Sequence, residues 1–178
     1  MSTESAIVRY RDGYEILGSG GFAAVAGGLT TTGEFGPILY TALLDATQGN
    51  LTWSHWEQGP AAALRAVYRY TVTAEKSHYS VDGQFPGYRG EIAIDPSNGT
   101  ILRLVLRADP NPSIPLLRAE VMVEYGPVEL GGKIYVCPLK GIALSADAKQ
   151  WWLNDVAFEQ YHLYRGSARV LPGYSEVP

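Results

Sequence analysis

From Tyr88 to Arg107 apolar and polar residues alternate in the rhythm of a β-strand, break once and resume. Ile92 and Ile94 alternate with Glu91, Ala93 and Asp95, the pattern of a strand with one buried face. Asp95-Pro96-Ser97-Asn98-Gly99 supplies the break. Pro96 sets its own φ, Asp95 or Asn98 can bond nearby backbone, and Gly99 can take φ > 0 and restart the ladder. Beyond the turn Leu102, Leu104 and Leu106 alternate with Ile101, Arg103, Val105 and Arg107. The spacing predicts a hairpin, and much of the chain repeats its logic.

Before this hairpin, Ile7-Val8-Arg9-Tyr10 and Tyr14-Glu15-Ile16-Leu17 flank Arg11-Asp12-Gly13, whose Asp-Gly pair signals another. Gly18 to Gly28 reads as a connection with a short helical turn around Phe22–Ala26. Thr30-Thr31-Thr32-Gly33-Glu34 offers helix caps. Pro37 to Ala46 then places Ile38, Leu39, Ala42, Leu43 and Ala46 on one face of a helix, ended by Gln48-Gly49-Asn50. It is the one convincing helix in the pattern. Leu51–Glu57, Ala63–Thr73 and His78–Val81 read as strands on either side of Gln58-Gly59-Pro60 and before Asp82-Gly83. A Pro-rich link, Asp109 to Pro115, leads to Arg118–Tyr125, where Ala119, Val121, Val123 and Tyr125 share a face. Val128–Leu130 and Lys133–Val136 flank the two-residue turn Gly131-Gly132. Lys140–Ser145 and Val156–Val170 complete about ten strands. Consecutive hairpins imply an antiparallel meander that curls around the helix.

The predicted fold is therefore mainly β: a strongly curved antiparallel sheet or half-barrel packed on one principal helix. Its 178 residues suit a single domain, 1–178, with a core at about 7–170 and polar termini. A chain of this length buries ~70 % of its unfolded surface without staples. The net charge of −4 and the scattered Lys and Arg give neither a phosphate-binding stripe nor a run for an anionic membrane. No apolar run reaches the ~20 residues of a membrane span. Cys137 is the one cysteine, so an intrachain disulfide is excluded. Met1-Ser-Thr-Glu-Ser lacks the charged start and apolar core of a signal peptide, which leaves a cytoplasmic protein or the mature part of an exported one.

The candidate chemistry is sparse. Leu17 to Val25 imitates the glycine-rich loop of protein kinases, but the first Lys is Lys76, and His-Arg-Asp and Asp-Phe-Gly are missing. No βαβ unit follows to make it a dinucleotide fingerprint. His55, His78 and His162 all fall in predicted strands without ligand spacing, so no metal site is expected. Strict alternation puts Trp53, His55 and Glu57 on one face and Trp56 on the other. Cys137, between Val136 and Pro138, reads as inert packing. The carboxylates fall at turns (Asp12, Asp82, Asp95) or on a charged strand face (Glu120, Glu124). No catalytic, cofactor-binding or metal residue is assigned, no cofactor is expected, and the chain reads as a non-enzyme. Strand aromatics are plentiful: Trp53, Trp56, Tyr68, Tyr70, Tyr79, Tyr125, Tyr135, Phe158, Tyr161 and Tyr164. Adjacent Trp151 and Trp152 point to opposite faces, so at least one is expected in solvent.

Several blocks resemble a family of exported bacterial proteins of unknown function. They are Gly33–Leu39, Leu43–Glu57, Glu75–Tyr79, Gly90–Pro96, Val123–Glu129 and Leu153–His162. Members of that family are longer, with an N-terminal extension and extra residues near Val81–Phe85 and Asp147–Trp152. The resemblance implies a periplasmic or secreted location. A weaker, architectural similarity links Ile94-Asp95-Pro96 through Leu104 to periplasmic lipoprotein-localisation factors, whose open barrels hold acyl chains around helices. The helices that close such a cavity are not evident here.

The functional expectation is a non-enzymatic envelope protein that binds an apolar or acyl ligand, or a lipoprotein segment, in the concave face of its sheet. The alternative is a structural or protein-interaction module of a larger exported protein, working through its sheet edge with no small ligand. Neither reading involves nucleic acid or a membrane span.

Overall fold

The computed structural model describes residues 8–11, 14–17, 35, 37–81, 83–111 and 117–163. Strands β1 (Val8–Arg11) and β2 (Tyr14–Leu17) form a two-stranded antiparallel hairpin, with Val8 opposite Leu17 and Arg11 opposite Tyr14. Helix α1 spans Pro37–Gln48. Seven further strands form one antiparallel meander in chain order: β3 (Asn50–Gln58), β4 (Leu64–Val72), β5 (Tyr88–Ile94), β6 (Ile101–Ala108), β7 (Arg118–Leu130), β8 (Lys133–Ala146) and β9 (Trp151–Ala157). The sheet is curved and not closed: β3 and β9 are its edges. The expected connection at Gly18–Gly28 with its turn at Phe22–Ala26, the caps at Thr30–Glu34, and the proposed strand beyond Leu163 lie outside the described residues.

The helix forms where the 3.6-residue pattern predicts it, with Pro37 at its start, where the missing N–H costs no bond. Ile38, Ala42, Asp45 and Ala46 are buried, and Leu39 and Leu43 pack beside them. This face lies on the inner side of the sheet. There it meets Tyr70 and Val72 of β4, Tyr88 and Ile92 of β5, and Leu104 and Leu106 of β6. Val121, Val123 and Tyr125 of β7 and Ala143 of β8 complete the core. These are the alternate residues of consecutive strands, as period-2 patterning requires. Phe35 closes one end, edge-on to Phe158 with ring centroids 5.7 Å apart.

The hairpin turn at Asp95–Gly99 is as the sequence reads. Asp95 accepts bonds from the Ser97 N–H at 2.8 Å and the Ser97 hydroxyl at 2.6 Å, and Gly99 has φ +75°. Gly131 and Gly132 also have positive φ, 59° and 77°, the conformation of a tight two-residue loop.

Three expectations need correction. Arg118–Tyr125 and Val128–Leu130 are one strand, as are Lys133–Val136 and Lys140–Ser145, because Gly126 and Pro127 do not interrupt the pairing with Cys137 and Val136. His78–Val81 is not a strand. Asp45 takes the main-chain N–H of His78, and Val81 makes an isolated bridge to Gln84. Among the described residues the last strand runs over Trp151–Ala157, and the part of the expected Val156–Val170 strand from Phe158 to Leu163 is not strand. Its extension ends where Phe158 N–H turns to the Leu139 carbonyl and Gln160 takes φ 54°. His78 and His162 therefore lie outside strands, and His55 alone of the three is in one.

Candidate binding surface

Helix α1 carries one residue that does not belong to its apolar stripe by chemistry. Asp45 is fully buried, and three donors surround its carboxylate: His78 N–H at 2.8 Å, His78 Nδ1 at 2.5 Å and the Tyr88 hydroxyl at 2.7 Å. A buried carboxylate left without donors is very costly, so this set is what allows Asp45 to sit there. Burial, then the bond to Asp45, push the Tyr88 phenol up from its ordinary range, so it stays a donor. The His78 ring is 59 % exposed, and in its neutral form the bond at Nδ1 leaves the lone pair on Nε2. Ser77 directs its hydroxyl to the Tyr79 carbonyl, 3.3 Å away, rather than to that ring. The arrangement pins residues 77–79 to the helix and holds the chain against the core. Its sequence signal was a charged residue about one turn from Ala42 and two from Ile38 on the apolar face.

The outer face of the sheet carries a second polar cluster. Arg103 of β6 forks onto Glu57 of β3, with bonds of 2.8 and 2.5 Å, and Arg65 lies 3.7 Å from the same carboxylate. The row between them contains Val67 and Ala93, both buried although they face away from the helix. The stem of Arg103 and its partner roof these small residues, as long charged side chains often do. The bond to Arg103 holds the Glu57 carboxyl below its usual range.

The third feature is apolar and exposed. In β3 the register slips between Trp53, opposite Tyr68, and His55, opposite Val67. Ser54 is the extra residue of a β-bulge, which returns the next side chains to the opposite alternation. Trp53 and Trp56, expected on opposite faces, therefore share the helix-bearing one, with rings 6.4 Å apart at 66°. Leu51, opposite Tyr70, lies on the same side. Trp53 is 54 % and Trp56 53 % exposed, a pair of indoles at the sheet edge, beside the filled core. His55 and Glu57 remain on the outer face.

On the inner face, buried side chains of β4 to β8 form one hydrophobic cluster with those of α1. A shallow groove of about 430 Å³ runs instead between Thr73–Glu75, Pro86–Gly87 and Asp109–Asn111. A recess of about 10 Å³ beside Val81, Ala108 and Leu117 approaches the size of one water. Trp151 stands in solvent and Trp152 is half-buried, and Arg118 caps the Trp151 ring at 5.5 Å. Cys137 is half-buried, and burial pushes its thiol up, which disfavours the reactive thiolate. Among the described residues no three His, Cys, Asp or Glu side chains gather as metal ligands, and no helix is long and apolar enough to cross a membrane. Compared with protein-family models, curated proteins and solved structures, the chain matches none of them.

Proposed function

We propose that this protein is a non-enzymatic binding protein of the cell envelope, and that its ligand is an acyl chain or an apolar lipoprotein segment held against Leu51, Trp53 and Trp56. The observation that carries the reading is the bulge at Ser54. It places two indoles side by side on the helix-bearing face and leaves both half in solvent. A single exposed apolar residue needs no explanation, whereas a contiguous aromatic patch marks an interaction surface. Indoles suit such a site because they combine a large apolar area with few torsions to order. The envelope location follows the resemblance of the sequence blocks to exported proteins. Titration with fatty acids of increasing length tests the reading. Each methylene buried contributes ~0.8 kcal/mol before ordering costs, so affinity rises with length until the patch is covered. A flat response across the series would remove the acyl reading.

A second reading, an interaction module working through a sheet edge, is favoured by a separate observation. β6 pairs with β7 as far as Glu124, and β9 pairs with β8 from Lys140 onward. Among the described residues the ribbon Tyr125–Leu130 with Lys133–Pro138 thus projects beyond its neighbours, with Ile134, Tyr135 and Val136 exposed. An isolated two-stranded ribbon is marginal in water, so a partner strand would stabilise it.

A further inference from the structure

We propose that a continuous row of aromatic side chains on the inner face carries one-electron oxidation from the indoles of β3 to Tyr88, whose proton passes to Asp45. The activity shares its indoles with the acyl reading but asks nothing of their affinity for a ligand. Trp56 and Trp53 stand edge-on at 6.4 Å, and Trp53 lies directly opposite Tyr68 of β4. Tyr68 and Tyr70 are next on the same face of that strand, ~7 Å apart along it. Tyr70 then meets Tyr88 of β5 with ring centroids 5.9 Å apart at 79°, and Tyr88 meets Tyr79 at 5.7 Å and 63°. The row starts at two indoles half in solvent and reaches a tyrosine that is fully buried. Taken singly, edge-on and cross-strand aromatic pairs are ordinary packing. Their unbroken run from the sheet edge to the core is more than packing requires.

Tyr88 is a trap because of its hydroxyl partner. A phenol gives up an electron readily only when its proton has somewhere to go, since the phenol radical cation is a strong acid. The Tyr88 hydroxyl donates to Asp45 Oδ2 at 2.7 Å, within reach of direct proton transfer. Tyr70, the ring before it, donates instead to the Val105 carbonyl, a neutral amide oxygen that is a poor base. Burial pushes the Tyr88 phenol up, so the proton leaves with the electron and not before it. In the step a one-electron outer-sphere oxidant in solvent takes an electron from Trp53 or Trp56 and is reduced. Electrons shift along the row to refill the indole, and the vacancy moves to Tyr88. There the O–H bond breaks, the proton goes to Asp45, and a neutral tyrosyl radical faces a carboxylic acid. The main-chain N–H and the ring of His78 hold that carboxyl group in place as its charge changes. An electron returned by a reductant reverses both transfers, and the proton goes back to Tyr88.

The test uses the whole chain, a photogenerated ruthenium(III) polypyridyl complex as oxidant, and electron paramagnetic resonance after rapid freezing. A neutral tyrosyl radical is expected. Tyr88→Phe keeps the ring and loses the hydroxyl, and should lower the radical yield at least tenfold. Tyr135→Phe, on the exposed ribbon, should leave it unchanged. Trp53→Phe/Trp56→Phe should slow its appearance at least tenfold, although Trp151 still stands in solvent to meet the oxidant. One arm needs no variant: in D2O the radical should form at least twofold more slowly in the parent protein, because an O–H bond breaks in the step. Signal confined to indole radicals, a yield unchanged in Tyr88→Phe, formation as fast without the β3 indoles, or formation indifferent to D2O would overturn the proposal. None of these outcomes alters the acyl titration.

Discussion

The Tyr70 ring lies across Gly90 of the neighbouring strand and passes its hydroxyl to the Val105 carbonyl one strand further on, at 2.8 Å. A Cβ on Gly90 would stand 1.8 Å from that carbonyl oxygen and 2.6 Å from the Tyr70 hydroxyl. The glycine is therefore what lets a buried tyrosine bridge β4 to β6 on the inner face. Gly90→Ala must displace main chain as well as the ring, and should destabilise by about 3 kcal/mol, in the range of overpacked cores. Urea unfolding of the two proteins checks this, and an unchanged midpoint would mean that Tyr70 does not occupy the space.

Asp45→Ala should be as damaging for the opposite reason, since it deletes the acceptor of three donors in a buried place. About 3 kcal/mol is expected, the scale of orphaning buried hydrogen-bonding groups. His78→Ala should cost markedly less, because the main-chain N–H of residue 78 and the Tyr88 hydroxyl keep their acceptor. Equal losses in thermal unfolding would show that the ring bond, not the carboxylate as a hub, holds residues 77–79.

Gly99 has φ +75° with open space where a Cβ would be, so a substitution there meets backbone strain and no clash. Gly99→Val should therefore destabilise by more than ~1 kcal/mol, and Gly99→Asn by clearly less, because Asn tolerates the left-handed region. Denaturation midpoints in the order Gly, Asn, Val are the expected result.

Glu57 supplies a pH prediction. Its carboxyl is held below the usual range by Arg103, so its folded pKa lies below its unfolded one. The stability it contributes is present above the unfolded value of ~4.3 and is lost as pH falls through the folded value. Glu57→Gln should flatten that part of the acid limb relative to the parent protein. Parallel acid limbs for the two proteins would show that the Arg103 fork contributes nothing measurable.

Alternation made the sheet legible from sequence wherever one face was apolar and the turn carried its own chemistry, as at Asp95–Gly99 and Gly131–Gly132. It also predicted the helix through Ile38, Ala42 and Ala46. What it could not reach were departures from its own period. The bulge at Ser54 is one added residue with no distinguishing side chain, yet it moves Trp56 to the face of Trp53 and changes the candidate site. The fate of His78 depended on Asp45, 33 positions earlier, whose place on an apolar helix face was visible but whose donors were not. Likewise, the length of β7 and β8 was hidden because Gly126-Pro127 resembles a break. The missing donor of Pro127 is harmless because, among the described residues, that side of β7 has no partner strand beyond Glu124.

We propose that the indoles of β3 form the apolar contact surface. The most direct test of this is quenching of Trp fluorescence by bromine-labelled acyl chains, in the parent protein and in a Trp151→Phe/Trp152→Phe variant that retains Trp53 and Trp56. Heavy-atom quenching requires contact, so it reports which indoles meet the chain. Saturable quenching should survive in the variant and be abolished by Trp53→Ala/Trp56→Ala. Quenching lost in the Trp151→Phe/Trp152→Phe variant, or no saturable quenching in the parent protein, would contradict it.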